Sequence, residues 1–266
     1  IDLWLTAFAY GARQVWVLLT DEEAPEYRAA LTEQMAVAQA LMTGLGFAGT
    51  HLRTIELRDA HDLPALDLAL RAPAAQAVKR ASEASAQAEK RSTLELALDH
   101  LLAAAPSAGR WPEAIALPAT GAPWGSLALD AGKCTLCLSC VGACPASALA
   151  DNPDLPQLRF IEKNCVQCGL CVQTCPEDAL RLEPRLWLAG DGKARKEPRV
   201  LNEAEPFHCI ECGKPFGTLR AIEATVARIG HHPAFAGDQG RRLRMCSDCR
   251  VVAMFSNPNE TRITDL

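Results

Sequence analysis

The first 133 residues contain no cysteine, although the chain has twelve. Thiolate chemistry, whether redox or metal-binding, therefore has no place in that part of the chain. Long apolar runs are missing too. Nothing approaches the roughly 18–20 apolar residues of a membrane-spanning helix. The net charge of −5 is too slight to make nucleic acid the general partner. Aromatic residues supply only 5% of the chain, so its helical parts must pack on alanine and leucine. There is no G-x-G-x-x-G turn in the strand-to-helix context of a dinucleotide site, no Walker loop and no Ser/His/Asp pattern. Gly44-Leu-Gly46 follows a helical stretch, the wrong context for a nucleotide turn. Nothing resembles a complete active site, and the chain reads as non-catalytic on its own.

The cysteines fall in three groups of four with none left over. That arithmetic points to metal ligation throughout and to a reducing, cytoplasmic compartment. The first two groups read Cys134-x2-Cys137-x2-Cys140-x3-Cys144-Pro145 and Cys165-x2-Cys168-x2-Cys171-x3-Cys175-Pro176, repeated at an offset of 31 residues. Flanking positions repeat as well: Leu129 matches Phe160, and Ala148-Leu149 matches Ala179-Leu180. A disulfide framework belongs to small chains in oxidising compartments, and zinc has no need of two such runs.

Each run is the C-x2-C-x2-C-x3-C-P pattern of bacterial iron–sulfur proteins. Residues 126–183 resemble the two-cluster bacterial ferredoxins. The resemblance implies two [4Fe-4S] clusters with the fourth ligand exchanged between halves. Cys134, Cys137, Cys140 and Cys175 would hold one cluster, and Cys165, Cys168, Cys171 and Cys144 the other. Pro145 and Pro176 would fix the exit of each loop. Gly142 and Gly169 would let backbone amides approach sulfur. Leu136, Leu138, Val141, Ile161, Val166, Leu170 and Val172 would form an apolar shell that limits water.

The last quartet is Cys209-x2-Cys212 with Gly213, then Cys246-x2-Cys249 34 residues after Cys212. Two C-x2-C pairs at long separation read as a structural zinc site in a zinc-ribbon or treble-clef arrangement. A rubredoxin-like iron and a third cluster stay open as alternatives. Val251 to Phe255 should lie on a terminal helix. His208, His231 and His232 are near, but four thiolates already complete a zinc shell. Arg241, Arg242, Arg244 and Arg250 make this end basic, a face suited to an acidic redox partner.

Upstream, residues 2–11 read as helix, Gln14–Leu19 as a buried parallel strand, 24–45 as a long helix and Leu52–Leu57 as a second strand. Gly11-Ala12, Val15, Val17, Tyr27, Leu45-Gly46 and Arg53 resemble the small delta subunit of methyl-viologen-reducing hydrogenases, over residues 1–57. That family passes electrons between a hydrogenase and a heterodisulfide reductase. Where it carries cysteines after the first strand, this chain has Thr20-Asp21-Glu22-Glu23-Ala24, so no cluster is expected in residues 1–133. The few strands and the start at Ile1 suggest a piece of a longer polypeptide. Residues 62–71 and 74–104 read as alanine-rich helices, with Leu94, Leu98, Leu101 and Leu102 as a core stripe. Ala114–Leu117 and Ser126–Leu129 read as short strands. Residues 179–182 should close a small antiparallel sheet. Residues 183–199 read as a polar, solvated connector in which Trp187 either covers a cluster or simply packs.

The expected fold class is α+β and multidomain. It comprises a partial α/β segment (1–60), a helical segment and linker (61–112), a dicluster ferredoxin domain (113–190) and a four-cysteine zinc domain (200–266). The expected function is electron relay between donor and acceptor proteins. Alternatives are an accessory or assembly factor of a metalloenzyme and the electron-input part of a larger oxidoreductase. Exchanged ligation makes a definite prediction. Cys144→Ala should damage the cluster held by Cys165, Cys168 and Cys171, and spectroscopy showing loss of only the Cys134, Cys137 and Cys140 cluster refutes it.

Overall fold

A computed structural model describes residues 1–256. Residues 257–266 of the expected four-cysteine domain lie outside the described residues. The architecture is α+β. In chain order the first elements are α1 (Asp2–Ala9), β1 (Val15–Leu19), α2 (Pro25–Gly44), β2 (Leu52–Glu56), α3 (Leu63–Leu70), α4 (Lys90–Ala104), β3 (Ala114–Ala116) and β4 (Gly125–Leu129). The cysteine region follows as α5 (Ser139–Gly142), β5 (Leu149–Asp151), β6 (Gln157–Phe160), α6 (Leu170–Thr174) and β7 (Leu180–Trp187). The remainder forms β8 (Arg199–Glu203), β9 (Pro206–His208), β10 (Pro215–Thr218), α7 (Leu219–Ile229) and α8 (Ser247–Phe255). The chain divides into two units. One holds residues 1–126, 162–168 and 182–197; the other holds 127–161, 169–181 and 198 onward.

In the first unit, β1 and β2 pair in parallel from Val15 opposite Leu52 to Leu19 opposite Glu56. Helix α2 connects them, with Pro25 in its first turn, where a missing N–H is harmless. Leu31, Met35, Ala38, Leu41 and Met42 form its buried stripe. Gly44 is there for space, since a Cβ would lie 2.7 Å from three side-chain atoms of Ile115. The expected burial of β1 is not observed: Leu18 is about half exposed, because a two-stranded sheet leaves β1 uncovered on one face. Leu5 and Phe8 of α1 share the core with the fully buried Leu98 and Leu101 of α4.

The alanine-rich stretch before α4 departs from expectation. Residues 74–89 are not helical; α4 starts at Lys90. Pro73 cannot donate a helical hydrogen bond and disfavours helix in the residue before it. The backbone beyond it is strapped across the unit instead. Gln76 and Ala48 exchange hydrogen bonds, the Gln76 N–H donating to Ala48 O (2.8 Å) and the Ala48 N–H to Gln76 Oε1 (3.1 Å). The Ser82 N–H donates to Ala9 O (2.8 Å), and the Tyr10 hydroxyl to Ala84 O (2.5 Å). Fully buried His51 donates from Nε2 to Gln76 O (3.0 Å), and burial holds its pKa below the usual imidazole value. Ala75 and Val78 of the strap are buried.

The connector 183–199 also differs. Its first half extends β7, with Arg185, Leu186 and Trp187 opposite Ala116, Ile115 and Ala114 of β3. Trp187 donates to Glu113 (3.4 Å) under the Arg185 guanidinium, so it packs in the first unit. Arg195 is 1% exposed and donates to the buried Glu95 at 2.5 Å. Glu95 also accepts from the Trp124 indole at 3.2 Å and faces Arg91 at 3.4 Å. Arg195 is thus a core anchor within that connector, because Glu95 on α4 gives it a partner that sequence distance hid. Lys196 pairs with Asp99 at 2.8 Å alongside.

In the second unit, β5, β6 and β8 form an antiparallel sheet with β6 central. Strands β9 and β10 form a separate hairpin. Strands β3, β7 and β4 form a further sheet with β7 central.

Removing one partner of a buried ion pair leaves the other charge uncompensated, at a cost of about 3–5 kcal/mol. Glu95→Ala should therefore abolish amide-exchange protection in α1 and α4 at denaturant levels the unmodified protein withstands. Glu83→Ala, which breaks an exposed pair with Arg80, should change stability by less than about 1 kcal/mol.

Candidate metal centres

The duplication in the cysteine runs is also a duplication of backbone shape. Leu136 and Gln167 share φ values of 56° and 55°, Leu138 and Gly169 of 61° and 80°, and Ser147 and Asp178 of 49° and 48°. Each pair is separated by the 31-residue offset of the repeat. Left-handed backbone is unfavourable for leucine by roughly 1–2 kcal/mol. It persists here because C-x2-C spacing turns successive side chains to one side only if the chain coils this tightly. Matching hydrogen bonds complete the repeat. Ile161 N–H donates to Ala148 O (2.8 Å), and Asp130 N–H to Ala179 O (2.9 Å).

Cys134, Cys137, Cys140 and Cys175 line one largely enclosed pocket in the second unit, together with Leu129, Leu136, Leu158 and Leu180. Three of these sulfurs come from the first run and one from the second. Burial, and then the charges of Cys134, Cys137, Cys171 and Cys175, push the Cys140 thiol up from 9.0 to about 12. Four thiolates at one point repel one another, so the donor set suits a cationic metal group and nothing neutral. Cys137 is exposed, and the Ser139 hydroxyl lies 3.4 Å from its sulfur. Burial resists ionisation of Cys137, but donors from Ser139 and Thr135 outweigh it and lower the pKa.

Cys144 and Cys171 belong to the second unit, Cys165 and Cys168 to the first. Cys165 and Cys171 are buried and Cys168 is exposed. Arg91 of α4 donates to the Pro123 carbonyl (2.7 Å) and to the Lys163 carbonyl, two residues before Cys165. Burial lowers the Arg91 pKa, and the charges of Glu95 and Cys165 oppose that shift. The expected apolar shell is only partly present: Val166 and Leu170 are exposed, because the second loop turns them outward. Two backbone amides donate to sulfur at matching places in the repeat, that of Ala148 to Cys144 Sγ at 3.3 Å and that of Ala179 to Cys175 Sγ at 3.4 Å. The repeated Ala-Leu pair after each proline was the visible signal for them.

The last quartet is drawn into one cluster, its four Sγ atoms all within 4.8 Å of one another. Cys209 and Cys212 occupy the turn of the β9–β10 hairpin. Gly213 makes that turn at φ +72°, with its N–H on Cys209 O at 2.9 Å. Cys246 caps α8, and Cys249 sits in its first turn. Knuckle, hairpin and helix make a treble-clef arrangement. Burial opposes ionisation of Cys209, yet N–H groups of Cys212, Cys246 and Glu211 bring its pKa down from 9.0 to about 6. Contact with the Cys212 sulfur, then Cys246, drives Cys249 up. Of the nearby arginines, Arg241 pairs with Glu211 (2.8 Å), while Arg242 and Arg250 donate to backbone carbonyls around α8. His208, His231 and His232 are exposed. The module is fastened to the first cysteine loop through Thr218, which donates to Thr135 O at 3.0 Å, and Arg220, which donates to Ala131 O at 2.8 Å.

Few apolar side chains hold this module besides the cysteines, so a bound metal ion would supply much of its stability. Stripping that ion with a chelator should erase amide protection in β9, β10 and α8 while leaving α4 protected. Acidification should act in the same direction. Protons compete with a metal ion for the four thiolates, and Cys209, whose pKa is lowered by backbone N–H groups, favours the thiolate that the ion needs.

No helix among the described residues is long and apolar enough to cross a membrane. No curated protein matches the chain. Two family models do, and both are described as 4Fe-4S dicluster domains, one on residues 133–180 and the other on 157–214. Neither reaches residues 1–57, where the hydrogenase-subunit likeness rests on sequence pattern alone. Residues 133–214 thus match 4Fe-4S dicluster domains, and a further four-cysteine site lies toward the C-terminus.

Proposed function

We propose that the protein relays electrons through two [4Fe-4S] clusters between a donor and an acceptor protein, and does not transform a substrate itself. The observation that carries this reading is the pocket shared by Cys134, Cys137, Cys140 and Cys175, because it draws ligands from both runs. Cys165, Cys168, Cys171 and Cys144 would hold the second cluster, on the strength of motif spacing. When bound, such clusters supply reversible one-electron transfer.

The chain's own residues do the rest. Leu136 and Leu158 keep water from the first pocket, and the Ala148 and Ala179 amides lend partial positive charge to sulfur. Exposed Cys137 and Cys168 bring ligand sulfur to the surface, where a partner protein can approach. Cys209, Cys212, Cys246 and Cys249 would bind one structural zinc. Through Thr218 and Arg220 that module braces the first loop.

Anaerobically purified protein is expected to contain about eight iron and one zinc per chain. It should be reduced by dithionite and reoxidised rapidly by a low-potential acceptor protein. Folded protein without iron, or iron that cannot be reduced, would sink the proposal.

A further inference from the structure

The two cysteine runs share their spacing, yet most positions between the cysteines differ, and one of those differences places a side-chain amide beside sulfur. Leu136 and Gln167 occupy the same place in the repeat with nearly the same φ, 56° and 55°. Leu136 is buried and brings no donor. The Gln167 side chain lies in the first unit, with Nε2 3.0 Å from the Ser126 carbonyl and 3.2 Å from Cys165 Sγ. The orientation of the amide is decided by that carbonyl, which can only accept. Turning the group over would press Oε1 against two acceptors. Space has been left for it at Gly125, where a Cβ would lie 2.4 Å from Gln167 Cδ.

This arrangement is a poor one for packing alone. Gln167 Oε1 is buried with no hydrogen-bond partner among the described residues. Methionine or leucine would fill the same space without an unpaired acceptor. What glutamine adds is one N–H directed at the sulfur of a buried cysteine. Reduction of a bound cluster increases negative charge on its sulfurs. A fixed N–H donor therefore favours the reduced form and raises the potential, most strongly where water is absent.

We infer that Gln167 is a positioning residue that raises the reduction potential of the cluster bound through Cys165, and that the Leu136-for-Gln167 difference makes the two clusters inequivalent. The inference rests on the cluster reading above and adds a residue to it. Arg91 reinforces the effect by holding the Lys163 carbonyl and setting a guanidinium beside the loop. The Ser139 and Thr135 donors near Cys137 do not cancel it. Cys137 and its counterpart Cys168 are both exposed, so water offers each a donor in any case, whereas Cys165 is buried.

The test is a redox titration of the full, cluster-loaded chain followed by EPR, comparing the unmodified protein with Gln167→Met. One couple should move to lower potential by about tenfold in its equilibrium constant, about 59 mV for one electron. The other couple should stay in place. The moving couple must be the one whose signal changes in Cys168→Ser. Two unmoved couples, equal movement of both, or movement of the other couple overturns the role of Gln167 and leaves the relay standing. An unmodified protein with no reducible cluster overturns the relay itself. If Gln167→Met does not hold iron, proton ENDOR on the reduced unmodified protein in D2O decides the matter. A slowly exchanging proton that is coupled to one cluster and disappears on deuteration of the glutamine side-chain amide supports the assignment, and its absence refutes it.

Discussion

Anionic sulfur atoms brought to one point repel, and the whole cysteine region is shaped by the need to make them meet. The loops from Cys134 and Cys165 accept left-handed backbone at leucine and glutamine to do so. Those conformations are unfavourable for residues with a Cβ. Their recurrence at the same repeat positions shows that one geometric demand was met twice. Burial, and then the charge of the neighbouring thiolates, holds the proton on Cys140, and contact with the Cys212 and Cys246 sulfurs does the same for Cys249. A cationic centre relieves the repulsion without protons.

The same demand is met differently in the last quartet. There a hairpin turn and a helix start each present two thiols, and backbone N–H groups aimed at Cys209 favour its thiolate. That solution needs no left-handed leucine. Thr218 joins the two designs: its hydroxyl caps α7 by accepting from the Ala221 N–H and donates to the first cysteine loop. A module with little apolar core is thereby fastened to the first cysteine loop.

The first unit depends on a different kind of pairing. Glu95 lies in an apolar interior and compensates Arg91 and Arg195 while accepting from Trp124. Arg91 in turn holds the Lys163 carbonyl, so a helix without cysteines fixes the approach to Cys165. Nothing in residues 90–95 announces this in the sequence. An Arg four residues before a Glu on a helix reads as a surface pair, and the partner at Arg195 is 100 residues away.

What could be read from the chain was whatever is governed by short-range chemistry. Cysteine spacing, the 31-residue repeat, the knuckle at Gly213 and the leucine stripe of α4 are local, and each stands where it was expected. The strap over residues 74–89 was not legible, because alanine-rich composition favours helix until backbone groups find partners elsewhere, here at Ala9 and Ala48. Nor was the burial of Arg195, the outward turn of Val166 and Leu170, or the amide of Gln167 on Cys165. Those depend on which distant surfaces come together, and a charge or an amide changes its role entirely when water is excluded around it.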